Sequence, residues 1–334
     1  MASTVTGSAV SPPQGATPHQ RSAVARLVGH LDWRQYVIYF VFAAIFIFFA
    51  IALHSRGFLN GSNLLDIITE TSTISVMATA MTFVIGAAEI DLSVGSLAGL
   101  SSCVTAMAIT SYGVPVGILA GLATGLVVGV INGSLVTLLR IPSFLVTLGM
   151  LGICEGVAMW ITAEAAEPIL NNGYNNFFGG GNFGPVPSSV VWAVVVVAVG
   201  AFVLAKTPYG RKVLATGGNR IAADYSGINT KRIKFLVLVV SSLAASLAGM
   251  LYAGRLASGR FDWGTGDELS VIAAVILGGT SLFGGNGSVI GAFSGSVLIG
   301  MINNGLILYG LGPSQQEIVR GLVIVFAVAL GRRK

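Results

Sequence analysis

The sequence predicts an all-α, polytopic membrane protein of about ten transmembrane helices, with an internal repeat and broken, glycine-rich helices. Three observations predict it. Only 31 of the 334 residues are Lys, Arg, Asp or Glu, 9% of the chain, against the quarter usual in a water-soluble protein. The chain is 54% apolar with 45 Gly and a mean hydropathy of +0.84, which excludes a soluble enzyme and a disordered chain. Apolar stretches of near-span length then follow one another from residue 37 to residue 330.

The first 35 residues are rich in Ser, Pro, Gly and Gln and carry Arg21, Arg26 and Arg34 without an apolar core. They read as a disordered cytoplasmic tail and not as a cleavable signal. A single membrane domain is expected over 36–331, with a basic cytoplasmic end at 332–334. Its spans are expected at 37–53, 74–88, 94–109, 114–139, 144–163, 190–204, 235–253, 269–282, 289–308 and 318–330. If all ten cross from a cytoplasmic N-terminus, 14 of the 18 basic residues lie inside, seven of them between Lys206 and Lys234. Only Arg56, Arg255, Arg260 and Arg320 lie outside. The positive-inside rule selects this orientation, with both termini cytoplasmic. The same placement explains a pI near 9.4 without nucleic acid as a partner.

Cys103 and Cys154 fall in apolar segments with no CxxC spacing and no clustered His, so no disulfide, metal or cofactor is expected. The loop 164–187 is Asn/Gly-rich and reads as a flexible extracytoplasmic loop. Its Gly179, Gly181 and Gly184 match G-x-G-x-x-G formally, but no strand precedes them and no helix pattern begins on them. Gly200 to Thr207 approximates a P-loop, yet Ala205 replaces the second glycine at the end of a membrane helix. No nucleotide-binding domain is expected.

The loop 205–234 reads as two short helices. Thr207 caps the first, with Pro208 at its first position and Gly217 closing it in the left-handed conformation. Asn219 caps the second and Gly227 closes it. On that second helix Ile221, Ala222 and Tyr225 form an apolar stripe flanked by Arg220 and Asp224. A two-turn helix is not stable alone, so it must pack on membrane lipid or on a cytoplasmic partner protein.

Glu89 and Asp91 lie between two apolar segments without a loop long enough to lift them clear. A charge at membrane depth costs about 2.5–3.5 kcal/mol on insertion scales and usually faces a water-filled path or a partner. The bland reading is a short cytoplasmic turn with Asp91 as helix cap, and a re-entrant cap can also line a cavity. A shift of 192 residues lays Gly86, Gly95, Ser96 and Gly99 on Gly278, Gly287, Ser288 and Gly291. The second copy, which includes Asn286, lacks the acids and is dense in glycine. Broken helices in two repeats, parallel or inverted, point to a translocation site. Asp66, Glu70 and Thr73 share one helix face, as a vestibule wall or a solvated helix end. Asn303, Asn304 and Glu155 are candidates for pathway lining or for bonds between helices.

The run from Thr207 to Ile228, the segment Ile90-Asp-Leu-Ser-Val-Gly-Ser96 and the stretch from Gly266-Asp-Glu-Leu to Asn304-Gly-Leu306 closely resemble ribose-type ABC sugar permeases, over roughly residues 59–330. The resemblance implies a homodimeric or paired permease, a separate cytoplasmic ABC ATPase, an extracytoplasmic sugar-binding protein and a monosaccharide or polyol as substrate. It places the chain in a bacterial plasma (inner) membrane and implies that the helix from Asn219 to Gly227 couples to the ATPase, with Ala222, Ala223 and Gly227 in close contact and Gly210, Arg211, Gly217, Arg220 and Tyr225 in the same coupling loop. Asp91, Ser93, Gly95 and Ser96 become candidates for the path or its gate. Glu89 stands where many relatives carry a small residue. Two rival readings are a proton- or sodium-coupled carrier that uses Glu89 or Asp91, and a passive facilitator.

Overall fold

The computed structural model describes residues 37–331, so the expected tail at 1–35 and the basic end at 332–334 lie outside the described residues. The chain runs through α1 (Val37–Ala52), α2 (Gly61–Gly86), α3 (Val94–Tyr112), α4 (Val114–Thr137), α5 (Ser143–Thr162), β1 (Glu167–Pro168), α6 (Asn172–Asn175), β2 (Asn182–Phe183), β3 (Val186–Pro187) and α7 (Ser188–Lys206). It continues through α8 (Pro208–Gly218), α9 (Arg220–Tyr225), α10 (Thr230–Arg255), β4 (Ser258–Gly259), α11 (Asp267–Leu277), α12 (Val289–Tyr309) and α13 (Pro313–Gly331). Seven of the described helices are long and apolar enough to cross a membrane: α2, α3, α4, α5, α7, α10 and α12.

Of the ten expected spans, 37–53, 269–282 and 318–330 are not among these seven, and 74–88 differs in extent. The stretch 74–88 is only the later part of α2, whose 26 residues begin at Gly61. The polar residues of its first half hide it from a hydropathy reading. Its hydroxyls are tolerated because Thr69, Thr71 and Ser72 each donate a hydrogen bond to the carbonyl four residues earlier, at 2.7–2.9 Å. The stretch 269–282 is not a full span. It is the 11-residue α11, which ends at Leu277 with Gly278 as its cap, followed by Gly279 at φ +88°.

The loop 164–187 is folded, which corrects its reading as flexible. Glu167–Pro168 pairs antiparallel with Ser258–Gly259, and β2 and β3 form a hairpin. Asn171 caps α6 through the Tyr174 backbone N–H at 2.9 Å. The buried Tyr174 hydroxyl donates to the Met250 carbonyl at 3.0 Å, and Phe178 stacks on Trp192 with centroids 5.5 Å apart. These aromatics are the burial that an Asn/Gly count does not reveal.

The core is built on α10, which packs against α4 and α3, with α2 and α12 alongside. Gly121, Gly125, Gly129 and Gly133 recur every four residues on α4. A Cβ on Gly125 would sit 2.7 Å from the Ser242 carbonyl oxygen, and one on Gly129 2.8 Å from the Val239 Cα. This glycine ladder brings the two backbones into contact at Gly125 and Gly129 and receives side chains at Gly121, from Thr105 and Met250, and at Gly133, from Phe235, the close approach that small residues permit between membrane helices. A second cluster, Phe49, Leu53, Phe58, Ile67, Leu298 and Met301, holds α1 to α2 and α12. Both cysteines are buried thiols.

Candidate functional site

α2 ends at Gly86, Ala88 takes a left-handed φ of +59°, and residues 89–93 turn back into the bundle before α3 begins. Glu89, Asp91 and Ser93 are all buried. Asp91 Oδ1 accepts hydrogen bonds from the Ser93 N–H at 3.0 Å and the Ser93 hydroxyl at 2.6 Å. Asn132 of α4 donates to that hydroxyl at 3.1 Å. Backbone donors freed by the break are met by α5, Ile90 N–H by the Ser143 hydroxyl at 3.1 Å and Leu92 N–H by Thr147 Oγ1 at 3.0 Å. Non-helical backbone at membrane depth needs such partners. The helix cap position is Ser93, so Asp91 braces the approach to the helix and is not itself the cap. Its Oδ2 has no well-aligned partner, with the Ser241 hydroxyl alongside.

Glu89 sits apart from Asp91, in an ion pair with Lys234 of α10. The pair forms one wall of a cleft of about 190 Å³. Gly95 lies against other parts of the chain. A Cβ there would collide with the Glu268 carboxylate and the Gly264 carbonyl, so the start of α3 meets the start of α11. Ser96 is buried beside it. Nearby, Tyr252 donates to Asp267 Oδ2 at 2.6 Å and Arg260 pairs with Asp262 at 2.8 Å.

The second break follows α11. Gly284 and Gly285 have φ of +80° and +79°, Ser288 caps α12 through the Gly291 N–H at 3.0 Å, and Asn286 closes the turn with its carbonyl to the Ser281 N–H at 3.2 Å. The Asn286 side chain is exposed. The Gly285 N–H donates to the Gly86 carbonyl at 3.1 Å, so the two breaks touch. Asn304 exchanges two amide hydrogen bonds with Asn63 of α2, at 2.9 and 3.1 Å, which fits a bond between helices. Asn303 and Glu155 are half-buried, and Asp66 and Glu70 are exposed while Thr73 is buried.

The capped loop reaches this junction. Thr207 accepts from the Gly210 N–H at 3.3 Å and Asn219 from the Ala222 N–H at 3.0 Å, and Gly227 follows α9 at φ +80°. Gly217 does not close α8, which continues to Gly218 without a left-handed residue. Instead a Cβ on Gly217 would strike the Gly86 carbonyl and lie 2.9 Å from the Gly285 nitrogen. α8 is thus seated on both breaks at once. Gly210 is buried against the Leu204 carbonyl, whereas Arg211 is exposed. On α9, Ile221 and Tyr225 are 70% and 90% exposed and Ala222 is exposed too, but Ala223 is turned into the chain at 4%. The Arg220–Asp224 pair, 3.9 Å apart and half-exposed, adds little stability.

Sequence reasoning missed Asn132, Ser143, Thr147, Lys234 and Glu268. Asn132 carried a signal, a lone amide in an apolar stretch, and Ser143 and Thr147 stood four apart after Pro142.

A family model described as branched-chain amino acid transport system / permease component matches residues 63–328. The chain is 36% identical over 318 residues to the probable ABC transporter permease protein YphD of Escherichia coli, covering 95% of this chain and 93% of that protein. It is 39% identical over 288 residues to the ribose import permease protein RbsC of Bacillus subtilis, covering 85% and 89%. Against the L-arabinose transport system permease protein AraH of Escherichia coli the identity is 34% over 308 residues, covering 90% and 92%. No solved structure matches.

Proposed function

The chain belongs to the branched-chain amino acid transport system / permease component family, and from that premise we propose how it moves its substrate. It is a multi-pass membrane permease of an ABC sugar importer, a transport subunit and not an enzyme, working with an ATPase and a binding protein. In our reading one permease domain crosses the membrane about ten times with both termini cytoplasmic, and the two breaks are corresponding parts of an internal repeat. The substrate is a monosaccharide or polyol. One observation carries the mechanism: Gly217 rests on both breaks, so a displacement of α9 by the ATPase is delivered through α8 to the places where the helices are interrupted. Alternating access follows from moving those breaks.

The rival carrier reading needs a free intramembrane carboxylate. Glu89 is paired with Lys234, and Asp91 is held by Ser93 through Oδ1. In proteoliposomes containing the ATPase and the binding protein, sugar uptake should require ATP and survive an ionophore. Glu89→Gln should keep uptake within about threefold of wild type, because Lys234 still reaches the cleft for solvation. Uptake that collapses with the ionophore, or proceeds without ATP, would favour the carrier or the facilitator.

The pairing of permeases is read on α5. Gly149, Gly152 and Gly156 have open space where a side chain would go, and Gly152 and Gly156 have the four-residue spacing of close helix crossings. A second copy packs on this face. Gly152→Leu/Gly156→Leu should weaken self-association of the detergent-solubilised permease at least about tenfold. An unchanged mass by light scattering would remove this face from the interface.

A further inference from the structure

The cleft beside Glu89 has no role in the reading above. It is lined by Arg140, Arg220, Lys231 and Lys234 with Glu89 as the carboxylate in its wall. Lys234 is engaged by Glu89 and Arg220 is shared with Asp224 at 3.9 Å. Arg140 and Lys231 have no ion-pair partner among the described residues. Arg140 stands between α4 and α5 at φ +59°, a conformation that side-chain-bearing residues seldom adopt. Around it Leu138, Leu139, Phe144 and Leu145 are all exposed, an apolar skirt at the edge of the helical bundle. A cationic recess bordered by exposed leucines fits an amphiphile with an anionic head better than a free anion, and basic pockets between membrane helices are where anionic headgroups bind.

We infer that this cleft binds the phosphate headgroup of an anionic phospholipid, with Arg140 and Lys231 on the phosphate and the acyl chains against Leu138, Leu139 and Phe144. Because Arg220 belongs to α9 and Glu89 to the first break, the lipid phosphate bridges α9 and that break. The inference stands on the cleft alone and not on the transport reading.

The test is native mass spectrometry of the full-length permease in detergent, titrated with dioleoylphosphatidylglycerol or dioleoylphosphatidylcholine. Wild type should retain one phosphatidylglycerol with at least about a tenfold preference over phosphatidylcholine, and Arg140→Gln/Lys231→Gln should lose that preference. Lys212→Gln, a basic change on the same loop outside the cleft, should retain it. Equal retention of both lipids by wild type, or an unaltered preference in the double variant, would overturn the site. Displacement of the lipid by inorganic phosphate would make the cleft a free-anion site instead. If the double variant kept its lipid and lost only the ATPase, the occupant would be an acidic side chain of that partner.

Discussion

Gly217→Val is expected to cut ATP-driven uptake at least about 100-fold while leaving the ATPase bound. The added side chain runs into the Gly86 carbonyl and stands 2.9 Å from the Gly285 nitrogen, and both are backbone atoms that cannot move aside by changing rotamer. Overpacking of this kind costs about 1–3 kcal/mol when the fold absorbs it. Here the relief is for α8 to shift off the breaks, against the packing of Val213, Thr216 and Tyr209 that holds it there. α9 stays exposed and able to dock, so hydrolysis continues and transport stops. The neighbouring glycine is the control. A Cβ on Gly218 would lie 3.4 Å from the Gly285 Cα, an ordinary contact, so Gly218→Ala should keep uptake within about twofold. ATPase activity and uptake measured together in proteoliposomes check both variants. Uptake near wild type in Gly217→Val would mean that α8 transmits nothing to the breaks.

Ile221→Asp/Tyr225→Asp should have the opposite signature, with ATPase capture lost and the membrane fold intact. These two side chains are 70% and 90% exposed on a helix of only six residues, which presents little else for a partner to hold. Buried aromatic and aliphatic anchors commonly carry about 2–4 kcal/mol each, so an affinity loss of at least about 100-fold is expected. Co-purification of the ATPase with the variant permease reads it directly, and retention at the wild-type level would place the docking surface elsewhere. Ala223→Asp does not serve this purpose. Ala223 is 4% exposed, so a charge there would act by disrupting the loop.

The capped loop was legible because its punctuation is local. Thr207, Asn219 and Gly227 do what residues of those types do at helix ends. Gly217 was misread for the same reason. A glycine near a helix end ordinarily closes it, and only the fold shows that this one makes room for Gly86 and Gly285. The acidic break was legible as an anomaly of charge in an apolar setting, but its bracing was not. Asn132, Ser143 and Thr147 lie 39 to 55 residues from the atoms they satisfy, and nothing in a local pattern assigns a hydroxyl on one helix to an amide before another. α2 was shortened because its hydroxyl-rich half reads as polar, although those hydroxyls bond their own helix. α11 was lengthened because the apolar pattern continues past Gly278, where the helix does not.

The glycine ladder between α4 and α10 has a mechanical consequence. A seam of interlocked side chains can slip by exchanging rotamers, as a bearing does. Where backbone lies on backbone, as at Gly125 and Gly129 against α10, there are no rotamers to exchange and the seam is welded. A bend between helices is then taken up at the joints that are not helical, at Ala88 and at Gly279, Gly284 and Gly285, and not at the welded pair.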